Sequence, residues 1–320
     1  MKALVLLRDA FYHDYPAFSS SLSNMGVEVK EMKDTDKGIN RQLLLRRVAD
    51  VDIIIVAVVQ IDREVIDAAK QLRFILKFGA GIDNIDVPYA QQKGIAIANA
   101  PGQNATSVAE LAFAFMHTLA RQVHLKNEQV KQKKWQLSLG TELYQANLGI
   151  IGYGAISRQI IQRAKGYEMK VLVYSKHANR AEGIAFVTLA ELLAHSDFII
   201  LATSLTVNNA GMINKEVLQK MKAGAFLINV ARGGLIVEDD LREALLNGTL
   251  AGAGLDVFNQ EPPTNDLPTL ANVIATPHIG GATRAAIFRT GQVTLDNVQR
   301  ILNNDALHYQ IKEISDQKLS

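Results

Sequence analysis

The chain has 320 residues, of which 48% are apolar and 21% are charged, and its formal net charge is +2 at pH 7. This length favours two domains over one, and the composition is that of an ordinary globular protein. The small net charge, without a long run of one sign, gives no electrostatic reason to expect nucleic acid or an anionic membrane as a partner. The absence of cysteine excludes disulfides, thiolate zinc sites and cysteine nucleophiles.

The N-terminal residues "MKALVLLRDAFYHDYP" contain a short apolar run that ends at Arg8 and Asp9. This pattern indicates a buried strand and not a signal peptide. The longest clean apolar run, residues 53–59, is far too short to span a bilayer. We therefore expect a soluble, cytoplasmic protein without a membrane partner.

Short apolar runs alternate with amphipathic segments along most of the chain, which predicts parallel, doubly wound α/β sheets. The runs are continuous, as in strands that are covered by helices on both faces. The predicted strands are 3–7, 27–31, 53–59, 74–78, 95–98, 148–151, 170–174, 198–201, 226–230, 253–257 and 273–275. Helical patterns between and after them include 155–165, 215–221, 239–247 and 284–302.

Five predicted strands precede residue 100 and six follow residue 147, which indicates two α/β domains. The connection "APGQNATSVAELAFAFMHTLARQ" begins with a breaker, Pro101-Gly102, and continues as a helix from about Thr106. This helix is apolar on most faces, so we expect it to be buried between domains or subunits. The final helix follows the last strand and is expected to return to the first domain, which would then be discontinuous.

The stretch "GIIGYGAISRQIIQRAKGYEMKVLVYSK" resembles a dinucleotide-binding fingerprint in its strand–turn–helix setting. Gly152 would allow the tight turn, and Gly154 would let the backbone approach a pyrophosphate. The first helical residues, Ala155 and Ile156, would offer free N–H groups to the phosphates. Ser157 replaces the third glycine, whose role is helix–strand packing, so we expect a small outward shift of the helix. A plain glycine-rich βα turn is the alternative interpretation.

The acidic residue that usually follows the second strand and binds the adenine ribose is missing. Ser175 and Lys176 stand there, with His177 and Arg180 close behind. A hydroxyl and cations suit the 2′-phosphate of NADP, so we predict NADP in preference to NAD. The alternative is that these cations are ordinary solvated loop charges.

Three further segments are "LRFILKFGAGIDNIDV", "MKAGAFLINVARGGLIVEDDLREALLNGTLAGAGLDVFNQEPP" and "NVIATPHIGGAT". Together with the fingerprint, and over nearly the whole chain, they resemble the D-2-hydroxyacid dehydrogenases. This resemblance implies reduction of 2-keto acids with a nicotinamide cofactor. It also implies a Rossmann coenzyme domain, residues 99–282, inserted in a flavodoxin-like substrate domain of residues 1–98 and 283–320.

The resemblance places Arg232, Glu261 and His278 on the family's catalytic residues, and each assignment also has a chemical reason. Histidine is the natural proton donor near neutral pH, and a neighbouring carboxylate favours imidazolium and orients the ring. Arginine can bind carboxylate and carbonyl oxygens in a fork and polarise the carbonyl. Singly, these residues could be a turn arginine, a loop acid and a structural cap. Their joint occurrence after three predicted strands favours catalysis.

Other positions match the family's binding residues. The bare amides of Gly79, Ala80 and Gly81 could receive the substrate carboxylate, although the same residues could form a simple turn. The resemblance puts Asp256 near the nicotinamide carboxamide, where the alternative is an ordinary strand-end acid. Weaker matches to the cofactor wall are Thr106, Thr203 and Val230. We assign no metal ligand.

The substrate is predicted to be a small 2-keto acid such as glyoxylate or hydroxypyruvate. Phosphoglycerate dehydrogenases of this family often carry an arginine at the end of the third strand, where this chain has "IVA", residues 55–57. The phosphate of a substrate would be bound by such a cation. In addition, few residues follow the last helix to form a regulatory domain. We therefore treat 3-phosphoglycerate as the less favoured alternative.

Two other rivals are a non-catalytic NAD(P)-sensing module and a formate-dehydrogenase-like enzyme. Sensing does not require the proton donor His278, and the formate enzymes pair the histidine with glutamine where this chain has Glu261. The resemblance further implies a homodimer. Dimerisation is compatible with the apolar helix from Ser107 and with the segment "LSLGTELYQANL".

Overall fold

The computed structural model describes residues 1–34, 38–176 and 183–312. The strands in these ranges are β1 (Lys2–Arg8), β2 (Glu28–Asp34), β3 (Ile53–Val56), β4 (Phe74–Lys77), β5 (Ala96–Ala98), β6 (Asn147–Ile151), β7 (Lys170–Tyr174), β8 (Ala185–Phe186), β9 (Phe198–Leu201), β10 (Ala225–Asn229), β11 (Leu250–Leu255) and β12 (Val273–Ala275). The α-helices are α1 (Asp9–Asp14), α2 (Ala17–Asn24), α3 (Arg41–Arg47), α4 (Arg63–Ala68), α5 (Val87–Gln92), α6 (Ala105–Ala120), α7 (Val123–Lys131), α8 (Ala155–Ala164), α9 (Leu189–His195), α10 (Lys215–Gln219), α11 (Glu238–Leu246) and α12 (Arg284–Asn303).

The chain divides into two compact units. The first consists of Met1–Asn104 with Gly281–Ser320, and the second of Ala105–Gly280. We call them the split unit and the central unit. Their roles as substrate and coenzyme domains, with the boundaries predicted above, remain predictions, and residues 313–320 lie outside the described ranges.

The split unit contains a five-stranded sheet in the order β2-β1-β3-β4-β5, and all of its strand pairs are parallel. This is the flavodoxin-like order, in which ligands bind at the carboxyl edge of the sheet. Alternate side chains of β1 enter two different cores, because successive residues of a strand point to opposite faces. Leu4 and Leu6 pack into one core, and Val5 and Leu7 into the other.

The central unit contains a seven-stranded parallel sheet in the order β12-β11-β10-β9-β6-β7-β8. Counted from β6, this is the Rossmann order 3-2-1-4-5-6 with one strand added beyond it. The predicted α/β class with two parallel sheets is confirmed. Strand β8, Ala185–Phe186, was not predicted, since two residues are too few to show an apolar period.

Helix α6 differs from the expectation that it lies between domains or subunits. Ten of its 16 residues are buried, and they pack inside the central unit. Ala112, Phe115 and Met116 share a core with Ile160 of α8 and Ile228 of β10. The apolar faces of this helix are therefore covered by its own unit, and no second chain is needed to bury them.

Helix α12 packs Ile287, Leu295 and Val298 into the same core as Val5 of β1, within the split unit. Thr283 is the N-cap of this helix, and its side chain accepts a hydrogen bond from the amide of Ala286 at 3.2 Å. Among the described residues, no helix combines the length and the apolar character that crossing a membrane would require.

Candidate active site

The glycine turn after β6 has the geometry of a phosphate-binding turn. Gly152 has a φ of +107°, and a Cβ there would lie 2.4 Å from the Ala202 carbonyl oxygen, so only glycine fits. Gly154 precedes α8 as its N-cap, and a Cβ built on it would meet no atom within 4 Å. The space in front of the helix N-terminus is therefore open, and Ala155 and Ile156 begin the helix there. These residues fit a dinucleotide pyrophosphate.

Ser157 is fully buried at the position of the third fingerprint glycine. Its hydroxyl donates a hydrogen bond of 2.9 Å to the Gly152 carbonyl oxygen, and the Gly154 amide lies 3.4 Å from the same hydroxyl. The sequence predicted only that the helix would shift to make room. That shift stays a prediction, and the structure shows that the serine ties both ends of the turn to the helix.

The remaining predicted cofactor residues lie after neighbouring strands of the central sheet or at the start of α6. Thr203 follows β9 and packs against Gly152, and Val230 follows β10 and is buried. Thr106, in the first turn of α6, places its hydroxyl 3.4 Å from Gln159 Oε1 of α8. Ser175 and Lys176 directly follow β7, and Lys176 is exposed. His177 and Arg180 lie outside the described residues.

The three predicted catalytic side chains follow adjacent strands. Arg232 comes after β10, Glu261 after β11 and His278 after β12. These strands are neighbours in the order β12-β11-β10, and all are parallel. Their carboxyl ends consequently meet at one edge of the sheet, where ligands of open α/β sheets bind.

The imidazole of His278 is hydrogen-bonded to the carboxylate of Glu261. The imidazole Nδ1 lies 2.8 Å from Glu261 Oε2, and the Phe258 amide donates to the other carboxylate oxygen at 3.2 Å. Burial by itself would raise the pKa of Glu261, but the hydrogen bond and charge of His278, the Phe258 amide and the charge of Arg232 together hold it below its ordinary value. The carboxylate is therefore ionised near neutral pH and orients the imidazole.

Arg232 lies in a turn that is held by the side chain of Asn229. The Asn229 side chain donates to the Arg232 carbonyl oxygen at 2.8 Å and accepts from the Ala231 amide at 3.0 Å. Asn229 is fully buried at the end of β10. Its role was not predicted, although an asparagine inside the apolar run "FLINVA" is a signal, since a buried amide needs hydrogen-bond partners.

The Arg232 turn touches the loop that leads to Glu261. A Cβ built on Gly233 would lie 2.0 Å from the Phe258 carbonyl carbon and 2.4 Å from the Asn259 nitrogen. This approach of two backbones is possible only with glycine. Because the Phe258 amide also binds Glu261, the position of the Arg232 turn and that of the carboxylate are coupled.

Asp256 is almost fully buried, with 2% exposure. Its carboxylate accepts hydrogen bonds from the Thr276 hydroxyl at 2.6 Å and from the amides of Ile279 and Gly280, both at 2.8 Å. The resemblance implied a contact with the nicotinamide carboxamide. In the structure, the carboxylate holds the loop that carries His278.

The predicted substrate residues Gly79, Ala80 and Gly81 lie after β4 in the split unit. Gly79 has a φ of +149°, which disfavours any other residue. The Gly79 carbonyl oxygen accepts from the Ala100 amide at 2.8 Å, and the Ala80 carbonyl oxygen accepts from the Asn99 side chain at 2.7 Å. The turn is therefore held from the end of β5.

A family model described as "D-isomer specific 2-hydroxyacid dehydrogenase, NAD binding domain" matches residues 113–280, more than half of the chain. The sequence is 38% identical over 270 residues to a hydroxypyruvate reductase of Thermotoga maritima, covering 82% of this chain and 88% of that one. It is 40% identical over 268 residues to a glyoxylate reductase of Pyrococcus furiosus, covering 79% and 80%. A D-3-phosphoglycerate dehydrogenase of Archaeoglobus fulgidus is 39% identical over 285 residues, but the match spans only 53% of that longer chain and 86% of this one.

Solved structures of similar proteins share the whole fold. The TT0316 protein of Thermus thermophilus superimposes with a TM-score of 0.88 at 32% identity, over 98% of this chain and all of that one. An acyclic imino acid reductase in complex with NADPH and D-Arg gives 0.88 at 25% identity, over 98% of this chain and 100% of that one. A D-lactate dehydrogenase of Aquifex aeolicus with NAD and lactic acid gives 0.83 at 29% identity, over 94% and 96%. The chain therefore belongs to the D-isomer-specific 2-hydroxyacid dehydrogenases and is an NAD(P)-dependent oxidoreductase of 2-hydroxy acids.

Proposed function

We propose that the protein reduces a small 2-keto acid, such as glyoxylate or hydroxypyruvate, to the D-2-hydroxy acid, with His278 as the proton donor. The observation that carries this proposal is the 2.8 Å contact between His278 Nδ1 and Glu261. Because the carboxylate engages Nδ1, the second ring nitrogen, Nε2, is the one that can pass a proton to a substrate oxygen.

Reduction of a keto acid requires a hydride on the carbonyl carbon and a proton on its oxygen. The nicotinamide cofactor supplies the hydride when it is bound. His278 passes its proton to the oxygen and becomes neutral, and the hydrogen bond to Glu261 orients the ring for that transfer. Arg232 binds the substrate carboxylate and the keto oxygen and stabilises the negative charge that develops on this oxygen.

The substrate carboxylate is also received by the backbone amides of the turn Gly79, Ala80 and Gly81. The turn lies at the carboxyl edge of a flavodoxin-like sheet, and all three residues are partly exposed. Two adjacent amides can bind an anion without a side-chain charge.

Hydroxypyruvate and glyoxylate are favoured by the names of two relatives, and by the apolar residues 55–57 at the end of β3, where no arginine stands. One observation favours 3-phosphoglycerate as the alternative. Lys77, the last residue of β4, places a cation two residues before Gly79, where its ammonium donates to the Ala57 carbonyl oxygen and to Asn84.

A panel of substrates tests the reaction. Glyoxylate, hydroxypyruvate and pyruvate are assayed for reduction with NADH and with NADPH, and D-3-phosphoglycerate is assayed for oxidation with both oxidised cofactors. We expect the highest kcat/KM for a small keto acid. Faster oxidation of phosphoglycerate would replace the proposed substrate by the alternative.

The variant His278→Ala tests the assigned chemistry against a purely cofactor-sensing role. Removal of a positioned proton donor costs about 10²–10⁴-fold in rate, whereas cofactor binding needs no proton donor. We expect turnover to fall by that order while the dissociation constant of the cofactor stays near that of the wild type. Unchanged turnover of every keto acid would show that the mechanism is wrong.

NADP is the proposed cofactor. The hydroxyl of Ser175 and the exposed ammonium of Lys176 after β7 support it, because they suit a 2′-phosphate and no acidic residue takes their place. Structures of similar proteins contain either NADPH or NAD, so the choice depends on this chain's own residues. Nicotinamide dinucleotides are intracellular metabolites, and we accordingly place the protein in the cytoplasm.

We also propose a homodimer, formed through the segment between α7 and β6. Trp135, Leu137 and Leu139 are 91%, 95% and 90% exposed, so this short segment presents three large apolar side chains to solvent. A second copy of the chain is the partner that would cover them. Sedimentation equilibrium should give twice the 35.1 kDa chain mass, and Trp135→Ser with Leu137→Ser should lower it to that of the monomer.

A further inference from the structure

We propose that Asn99 is a positioning residue for substrate binding, because it aims the amides of Ala80 and Gly81 at the substrate carboxylate. This inference rests on the proposed function, in which the turn of Gly79, Ala80 and Gly81 receives that carboxylate. Asn99 directly follows β5, in the stretch "IANAPGQN", and was not among the residues predicted to act in the site.

The argument begins with the geometry of the peptide group. In a trans peptide, the carbonyl and the N–H of one unit point in opposite directions. Both peptide bonds of the turn are trans, since the cis bond of the described chain is Glu261–Pro262. A contact that holds a carbonyl oxygen of the turn therefore also decides where the amide of the same unit points.

Both carbonyls of the turn are held from the same side. The Gly79 oxygen accepts from the Ala100 amide at 2.8 Å, which turns the Ala80 N–H away from β5. The Ala80 oxygen accepts from the Asn99 side-chain nitrogen at 2.7 Å, which turns the Gly81 N–H away in the same manner. The N–H groups of Ala80 and Gly81 therefore both point away from β5, so the two can bind one anion.

The backbone around the two donors is itself fixed. Ile97 of β5 accepts a hydrogen bond from the Ile311 amide at 2.8 Å, and Ala98 pairs with Gln310 in an antiparallel bridge. Asn99 therefore stands on a fixed backbone and provides a side-chain hydrogen bond to Ala80 that substitution can remove.

The experiment uses the full-length protein with NADPH and compares Asn99→Ala and Asn99→Asp with Gln91→Ala. Asn99→Asp keeps the shape but replaces the amide donor with an acceptor that repels the Ala80 oxygen. Gln91 provides a matched control, since its side-chain amide donates to the Ile311 carbonyl oxygen at 3.1 Å, and among the described residues it makes no hydrogen bond to the turn. The readouts are KM and kcat for the best keto acid, the dissociation constant of the unreactive carboxylate oxamate, the dissociation constant of NADPH, and Tm.

We expect both Asn99 variants to raise the KM of the keto acid and the dissociation constant of oxamate by about tenfold, the order expected for a weakened hydrogen bond to a charged group. NADPH binding and kcat should stay within about twofold, and Gln91→Ala should match the wild type. If the wild type binds oxamate and reduces keto acids, but the Asn99 variants equal it, the role of Asn99 is refuted and the proposed function stands.

Other outcomes separate the two proposals. If the protein reduces no keto acid but the Asn99 variants bind oxamate more weakly than the wild type, the role of Asn99 is supported and the proposed reaction is refuted. If the wild-type protein with bound NADPH does not bind oxamate, the role of Asn99 is refuted. If the Asn99 variants lose oxamate binding, NADPH binding and Tm together, the positioning role of Asn99 is also refuted, because such losses indicate a general structural role.

Discussion

The carboxylate of Asp256 holds the loop of His278 in place. The His278 amide donates to the Asp256 carbonyl oxygen at 2.9 Å, while the side chain of Asp256 accepts from Thr276, Ile279 and Gly280 on both sides of the histidine. His278 itself has a φ of +53°, a conformation that costs a non-glycine residue about 1–2 kcal/mol. The four contacts offset this cost and present the ring to Glu261.

Replacement of Asp256 by asparagine should disorder this loop. One acceptor oxygen becomes an NH₂ group that faces a backbone amide, so a hydrogen bond to a charged group, worth about 1.5–3 kcal/mol, is lost. We expect a lower Tm and a kcat reduced at least tenfold, with cofactor binding less affected. Thr276→Val, which removes only the hydroxyl contact, should show a smaller decrease of both quantities. Wild-type kcat in Asp256→Asn would contradict the anchoring role.

The Glu261 carboxylate should make stability depend on pH. Its pKa is lower in the folded protein than its ordinary value, so the unfolded chain binds more protons in acid. The stabilisation is therefore present above the ordinary value of 4.5 and is lost as the pH falls through the folded pKa. Because the Glu261 and His278 side chains are 38% and 36% exposed, we expect it to be within about 1 kcal/mol.

Thermal unfolding of Glu261→Gln across pH 3 to 8 measures this contribution. The difference in Tm from the wild type should be largest near pH 7 and should shrink toward pH 3. The charge-neutral variant should also reduce kcat, since the negative charge beside the imidazole is lost. A Tm difference that is independent of pH would show that packing, and not the charge of Glu261, makes the contribution.

The two fingerprint glycines should respond differently to alanine. At Gly152 a Cβ would strike the Ala202 backbone, so Gly152→Ala should fold poorly. At Gly154 a Cβ would meet no protein atom within 4 Å, so Gly154→Ala should keep the wild-type Tm. The same Cβ should weaken cofactor binding at least tenfold, because it occupies space that the pyrophosphate needs. Gly166→Ala, equally unobstructed and outside this turn, is the control. Wild-type cofactor affinity in Gly154→Ala would argue against a phosphate at this turn.

Alanine at Gly233 should impair catalysis through the Glu261 loop. Its Cβ would displace the Phe258 backbone, whose amide binds the Glu261 carboxylate. We expect a loss of stability of about 1–3 kcal/mol, as for overpacking in a core, and a marked fall in kcat. Urea unfolding and steady-state kinetics measure the two effects. A wild-type kcat in soluble Gly233→Ala would contradict the coupling between the Arg232 turn and the Glu261 carboxylate.

Lys176 should influence the choice of cofactor. Removal of its ammonium in Lys176→Ala should raise the KM of NADPH about tenfold, as expected for loss of a charge-assisted hydrogen bond to phosphate, and leave that of NADH nearly unchanged. The exposed Lys170 at the start of β7 provides a control substitution of the same type. Equal effects on both cofactors would show that Lys176 does not recognise the 2′-phosphate.

The order of elements was accessible from the sequence because buried parallel strands produce continuous apolar runs. Eleven of the strands were predicted near their observed positions, whereas the two-residue β8 carries too little signal. The predicted strand 53–59 proved too long. It ends at Val56, because the Ala57 carbonyl oxygen binds Lys77 and Asn84 from other parts of the chain.

The sequence by itself determined the α/β class and the glycine turn, because these depend on residue type and local spacing, and its resemblance to the family indicated Arg232, Glu261 and His278 as candidates. Only the tertiary structure decided their supports. Asp256 holds the His278 loop, Ser157 ties the glycine turn, and Asn99 holds the Ala80 carbonyl. Asn99 and Ala80 are 19 residues apart in the chain, and Asp256 and Gly280 are 24 apart. The contacts of Asn99 and Asp256 exist only after parallel strands bring distant loops to one sheet edge, so local residue patterns do not specify them, whereas Ser157 and Gly152 are only five residues apart.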